Sequence, residues 1–156
     1  MISPKNKSFI DSIVPGAQLA HEIHGVPASV TIAQAILESS WGNSGLTKDA
    51  FNLFGIKASK GWAGGVIMKN TAEYVGGKRI IVQAPFRRYD SLAESIEDHA
   101  VFLVKNKRYA EAFKCKDGCS FATEVAKAGY ATDMKYAELL ISLIKQHHLD
   151  HFDLMA

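Results

Sequence analysis

Residues 27–42, PASVTIAQAILESSWG, read as a short helix that carries one glutamate almost to its end. Pro27 suits the first helical turn, where its missing N–H would have had no intrahelical partner. Val30, Ala33 and Leu37 recur at the i, i+3, i+7 spacing of one face. Ile32, Ala35 and Ile36 widen that surface, which predicts a helix buried on more than one side. Gly42 offers a left-handed exit. Glu38 falls in the last turn, where the helix field disfavours negative charge, and apolar neighbours such as Trp41 disfavour it further. A carboxyl in that setting holds its proton near neutral pH and can give it to a leaving group. The same residues also fit a partly exposed helix-end glutamate with no chemistry.

Working outward, residues 4–24 read as a helix broken or bent at Pro15, with Phe9, Ile10 and Ile13 before the proline and Leu19, Ala20 and Ile23 after it. His21 and His24 are too close together for the HExxH zinc motif. After Gly42 the pattern changes to turns and an aromatic-rich segment, AFNLFGIKASKGWAGG. Here Phe51, Leu53, Phe54 and Ile56 can fill a core, and Asn52 can bond either to turning backbone or to a bound acetamido group. Residues 66–75 and 79–89 read as strands joined through Gly76 and Gly77, a hairpin that carries Glu73. Ser91 and Glu94 predict a capping box for the next helix, whose inward stripe is Leu92, Ile96, His99 and either Phe102 or Leu103.

The last third is helical again, with short segments at Tyr109–Phe113 and Ser120–Lys127, the second ended by Gly129. A terminal helix capped by Thr132 contains Tyr136, Leu139, Leu140, Leu143 and Ile144. His147 and His151 stand at i,i+4 on its continuation, where a solvated basic helix end is a better account than a metal pair.

A chain of 156 residues fits one compact domain, residues 1–156, burying roughly two thirds of its extended surface. Eighteen basic and sixteen acidic side chains give +2, mixed along the chain, with no basic–aromatic repeat of the kind that grips nucleic acid. No apolar run reaches membrane-spanning length, so no membrane insertion is expected. The start, MISPKNKSFIDSIVPG, lacks a signal-peptide core. Cys115 and Cys119 allow a local disulfide or two free thiols. No zinc-ligand set and no phosphate-binding glycine loop is present, so neither metal nor cofactor is expected.

Two carboxylates sit in segments that can frame a cleft, Glu38 at a helix end and Glu73 on the hairpin. Glycoside hydrolysis needs one group to protonate the leaving oxygen and another to activate water or steady positive charge at the sugar carbon. Trp41, Phe54, Tyr89 and Tyr130 can pack against sugar faces. Spacing alone does not join these residues, and a surface Glu73 with the aromatics in the core fits equally.

AQAILESSWGNSGL, FNLFGIKA, TAEY, FRRYDS and GYATDMKYAELL, taken together from about Phe9 to Ile144, resemble glycoside hydrolase family 73. The resemblance implies an α+β, lysozyme-like fold, a mainly helical body with a small β-hairpin lobe at about residues 60–89 flanking a glycan cleft. It implies an endo-β-N-acetylglucosaminidase acting on bacterial peptidoglycan strands, with Glu38 as general acid, Glu73 as second carboxylate and Tyr130 near the scissile sugar. Trp41, Asn52, Phe54 and Tyr89 become expected groove residues. A monomer working in the envelope or outside the cell follows from that substrate, whether secreted or delivered by a phage or secretion system. Muramidase or lytic transglycosylase action on the same polymer, and a non-catalytic wall-binding module, are the alternatives. Two departures stand out: Ser40 occupies a place often held by glycine, and Met134 replaces the proline common after ATD.

Overall fold

The computed structural model describes residues 2–154. Six α-helices and one hairpin follow each other: α1 Pro4–His24, α2 Ala28–Ser39, α3 Gly45–Ala50, β1 Gly65–Val75, β2 Lys78–Arg88, α4 Leu92–Lys105, α5 Gly118–Lys127 and α6 Tyr136–Gln146. Short 3-10 turns at Lys107–Tyr109, Ala112–Lys114 and Leu149–Phe152 link or close the last helices. No described helix is long and apolar enough to cross a membrane.

Helix α2 is the axle of the body. Of its twelve residues only Leu37 and Glu38 escape burial. Against it pack Ile10, Ile13, Ala17 and Ala20 of α1, Phe121 and Val125 of α5, and Leu140 and Ile144 of α6. At its start Ser29 is joined to Asp153 by two hydrogen bonds, of 2.6 and 2.7 Å, that tie α2 to the segment following α6. Of the break or bend expected at Pro15, the break does not occur: α1 runs through the proline as one helix. One missing N–H bond is a small loss beside the apolar face that α1 lays on α2 and α4. Pro27 is the cap of α2 and lies just outside its first turn.

The exit from α2 sets the attitude of Glu38. Ser40, Trp41 and Gly42 are all left-handed, at φ 51°, 58° and 81°. Gly42 is required twice over, because a Cβ there would meet the Phe9 ring at 2.7 Å. The turn is held from inside by the Ser39 hydroxyl, which donates to the Ala35 carbonyl and accepts from the Gly42 N–H at 2.8 Å. Ser40 contributes only backbone to it. A left-handed non-glycine residue costs about 1–2 kcal/mol, and glycine's extra unfolded-state freedom gives back about 0.5–1. Ser40→Gly should therefore raise stability by up to about 1 kcal/mol, read as a higher denaturant midpoint at constant m-value.

The hairpin pairs Gly65 with Arg88 through to Val75 with Lys78, and Gly76 and Gly77 make the tight turn with φ of 58° and 79°. Along β1 the odd-numbered residues Ile67, Lys69, Thr71 and Glu73 are half-buried and the even-numbered ones exposed. The base is clamped to the body by buried Ala84 and Phe86 and by backbone bonds from Arg87 to Ile56 and from Ala58 to Pro85, and further out β1 is tied by solvent-exposed ion pairs, Lys69 to Asp49 and Glu73 to Lys57. The distal half projects as a lobe.

Several local expectations change. The Glu94 carboxylate reaches back to the Asp90 N–H at 2.7 Å, one residue beyond the Ser91 cap whose hydroxyl accepts from the Glu94 N–H. Tyr109–Phe113 is two separate 3-10 turns. Thr132 caps nothing, because the Asp133 carboxylate takes the Lys135 N–H at 2.8 Å and delays α6 to Tyr136. His147 and His151 do not share a helix face: His148 is left-handed and ends the run, so His147 meets Trp41 while His151 stacks on His148. Cys115 and Cys119 are both free thiols. Desolvation first, and neighbouring carboxylates after it, push both thiols up, away from the reactive thiolate.

Candidate active site

A cavity of about 460 Å³ opens between the end of α2, the 54–59 segment, the base of the hairpin and the turn before α6. Glu38 lines it together with Phe54, Lys57, Arg87, Arg108 and Tyr130. The Glu38 side chain is open to the groove, yet desolvation by the packed protein around its carboxyl raises its pKa above the ordinary 4.5. The Tyr136 hydroxyl opposes that rise by favouring the charged form. Helix burial thus produces what the sequence position suggested, a carboxyl biased toward keeping its proton.

Behind Glu38 stands a polar relay in an otherwise apolar interior. Gln34, fully buried one turn earlier on α2, donates from Nε2 to the Tyr136 hydroxyl at 3.0 Å. With its oxygen occupied as acceptor, Tyr136 directs its own proton toward Glu38. Sequence reading missed both residues. Tyr136 looked like part of an apolar stripe, and the one available signal was the i, i+4 spacing of Gln34 and Glu38. Tyr136→Phe removes an interaction that favours the carboxylate, so the limb on which activity falls with rising pH should move to higher pH. The peak rate should drop by about tenfold or less, the worth of one hydrogen bond. A kcat/KM pH profile checks both.

The expected site residues divide. Tyr130 reaches the groove, stacked on Tyr136 with ring centres 5.6 Å apart and 11° between planes. Burial and the neighbouring Tyr136 and Glu38 hold its phenol well above its usual pKa, so it acts as a neutral hydroxyl. Phe54 lines the groove, and one face of its ring stacks on His99 with centres 3.8 Å apart and 15° between planes. That histidine is fully buried and desolvation drives its pKa down to about 3, so it serves as an uncharged ring beneath the floor.

Glu73 comes from the half-buried face of β1 and pairs with Lys57 of the groove wall at 3.1 Å. Lys57 thereby links the lobe's carboxylate to the cavity that holds Glu38.

Trp41, Asn52 and Tyr89 are placed elsewhere. The left-handed turn swings Trp41 outward, where its ring packs edge-on against Phe9 and His147 and anchors the end of α2. Asn52 is buried and committed to backbone: its amide donates to the carbonyls of Ile56 and Arg87, both at 2.9 Å, and its oxygen accepts from the Ile56 N–H. Of the two roles open to it, the fold uses the turn-stabilising one. The Tyr89 hydroxyl bonds to the Asp98 carboxylate, which also takes Arg87 at 2.8 Å, and its ring faces Trp62 beside a different cavity. Among the described residues no group of three or more His, Cys, Asp or Glu side chains is arranged to hold a metal ion.

A family model described as mannosyl-glycoprotein endo-beta-N-acetylglucosaminidase matches residues 14–149. Exo-glucosaminidase LytG of Bacillus subtilis is 39% identical over 150 residues, covering 93% of this chain and 52% of that protein. Peptidoglycan hydrolase FlgJ of Salmonella typhimurium is 38% identical over 149 residues, covering 93% and 47%. The catalytic domain of the autolysin Auto from Listeria monocytogenes superposes with a TM-score of 0.87 at 33% identity, covering 98% of this chain and 90% of that one. This chain spans about half the length of the curated relatives it matches. With a mainly helical body, a two-stranded lobe and a glutamate-lined groove between them, it belongs to the glucosaminidase family, glycoside hydrolase family 73, and has that family's lysozyme-like fold.

Proposed function

We propose that this domain hydrolyses the β-1,4 glycan strand of bacterial peptidoglycan on the reducing side of N-acetylglucosamine. The observation that carries the proposal is the Glu38 carboxyl, held at the end of a buried helix, raised in pKa and facing an open groove. The proton on Glu38 goes to the glycosidic oxygen as the bond to the sugar carbon breaks. Tyr136, held by Gln34, engages one carboxyl oxygen and leaves the other to carry that proton into the groove. Phe54 and Tyr130 give the bound sugars apolar and hydroxyl contact.

Glu73 is the second carboxylate in this scheme. It either activates water in an inverting route or steadies positive charge at the sugar carbon. Attack by the substrate's own acetamido oxygen, oriented by Tyr130, is the third route. Anomeric analysis by NMR separates them, since an α product from the β-linked substrate excludes acetamido attack. In this reading the domain acts as a monomer, and the substrate puts the enzyme at the cell wall or outside the cell.

Digestion of purified peptidoglycan, with reducing ends identified by mass spectrometry, tests the cut. N-acetylglucosamine ends are expected. Muramic ends would make the domain a muramidase, anhydromuramic ends a transglycosylase, and binding without products a wall-binding module. Strand length followed over time tests endo action: long strands should shorten before disaccharides accumulate.

A further inference from the structure

The catalytic cavity has a neighbour of about 430 Å³, and the two share Ser59, Arg87 and Phe102. Its floor is the outer stripe of α4, where Asp98, Phe102 and Lys105 recur at i, i+4, i+7. Its opposite wall is the loop from Ser59 to Trp62. Trp62 is fixed there, with its indole N–H on the Gly65 carbonyl at 2.9 Å and the Arg87 guanidinium 4.4 Å over its ring. Arg87 is already balanced by Asp98. Lys60 and Lys105 are not: they enter the cavity from different elements, and neither makes an ion pair among the described residues.

Two unbalanced cations across a recess that branches from the cleft call for an anionic group, carried on a side arm of the bound polymer. In peptidoglycan that arm is the peptide joined to the muramic lactyl group, whose residues carry free carboxylates. An extended chain covers about 10 Å in three residues, enough to leave the sugar track and enter an adjoining recess. We infer that this side cavity binds the substrate's peptide branch through its carboxylates, with Lys60 and Lys105 as the recognising groups. The enzyme therefore prefers peptide-bearing strands to bare glycan. The inference rests on the glycosidase proposal above and adds to it the part of the substrate that sets preference.

The test compares soluble peptide-bearing strands with the same strands stripped of peptide by an amidase, for the parent and for the K60E/K105E double variant. Both positions are exposed and lie outside the catalytic machinery, so basal turnover on stripped strands should be unchanged. On peptide-bearing strands at low salt, KM should rise roughly tenfold, as expected when two exposed charge contacts are reversed. High salt should shrink the difference. Parent enzyme given strands whose peptide carboxyls are amidated should behave as it does on stripped strands.

An equal change on both substrates, or no preference by the parent, would overturn the inference while leaving the glycosidase proposal standing. Failure of the parent to cut either substrate would end both.

Discussion

Glu38→Gln should leave a folded protein whose turnover of peptidoglycan has fallen by about 10²–10⁴-fold, the share that general acid catalysis supplies. The amide keeps the shape of the side chain and its place beside Tyr136 but has no proton of comparable acidity to give. The same substitution should raise stability near neutral pH. Desolvation lifts the folded-state pKa of Glu38 above its ordinary 4.5, so the unfolded chain ionises first as pH rises. Between those two values folding loses free energy progressively, and above the folded pKa the loss is complete. Gln is neutral throughout, so its advantage should be full above the folded pKa, shrink as pH falls, and vanish where both forms of Glu38 are protonated. Paired activity assays and thermal melts across pH read both halves. An inactive variant that melts later than its parent has lost chemistry and not its fold, whereas near-normal turnover would remove Glu38 from the acid's role.

Asn52→Ala should do the opposite, damaging stability far more than chemistry. Its amide closes three hydrogen bonds in a buried turn and ties the 52–56 segment to the base of the hairpin at Arg87. Removing it strands the Arg87 carbonyl and the Ile56 N–H, each costing about 1–3 kcal/mol when left without a partner, while the Ile56 carbonyl keeps its bond from the Arg87 N–H. Some relaxation will soften that sum, and a loss of about 2–4 kcal/mol is expected. In a domain of this size that is on the order of 10 °C in melting temperature. Measured well below the new transition, kcat/KM should stay within a few-fold of the parent. If the residue instead gripped an acetamido group, KM would rise steeply while the melting temperature held.

Most of the body was legible because α4 buries its residues with helical periodicity, because α2 is apolar on nearly every side, and because glycine pairs announce turns. The hairpin was found from Gly76–Gly77 and its β-branched flanks to within a residue. What escaped was geometry that depends on three elements at once. Ser40 and Trp41 gave no local sign that they would turn left-handed ahead of Gly42, and that turn is what takes Trp41 out of the groove. It also gives a reason for the glycine often found at the place of Ser40. Asn52 and Tyr89 lie in segments that do frame the cleft, but whether a side chain faces the cavity or the fold is settled by partners far along the chain, Arg87 for one and Asp98 for the other. Tyr136 was hidden by its own periodicity: a tyrosine in an apolar stripe reads as packing until the hydroxyl's neighbours are known.

The two glutamates of the proposed mechanism are anchored in regions of very different protection. Glu38 ends the helix around which the body condenses, so its backbone amides should exchange with solvent only when the whole domain opens. Glu73 rides on a ribbon whose apolar and backbone clamps lie at its root, with only solvent-exposed ion pairs to the body further out, so the ribbon can open alone at a fraction of that free energy. Mild denaturant should therefore silence the step that needs Glu73 while tryptophan fluorescence still reports an intact body, and ligand that bridges groove and lobe should close that gap.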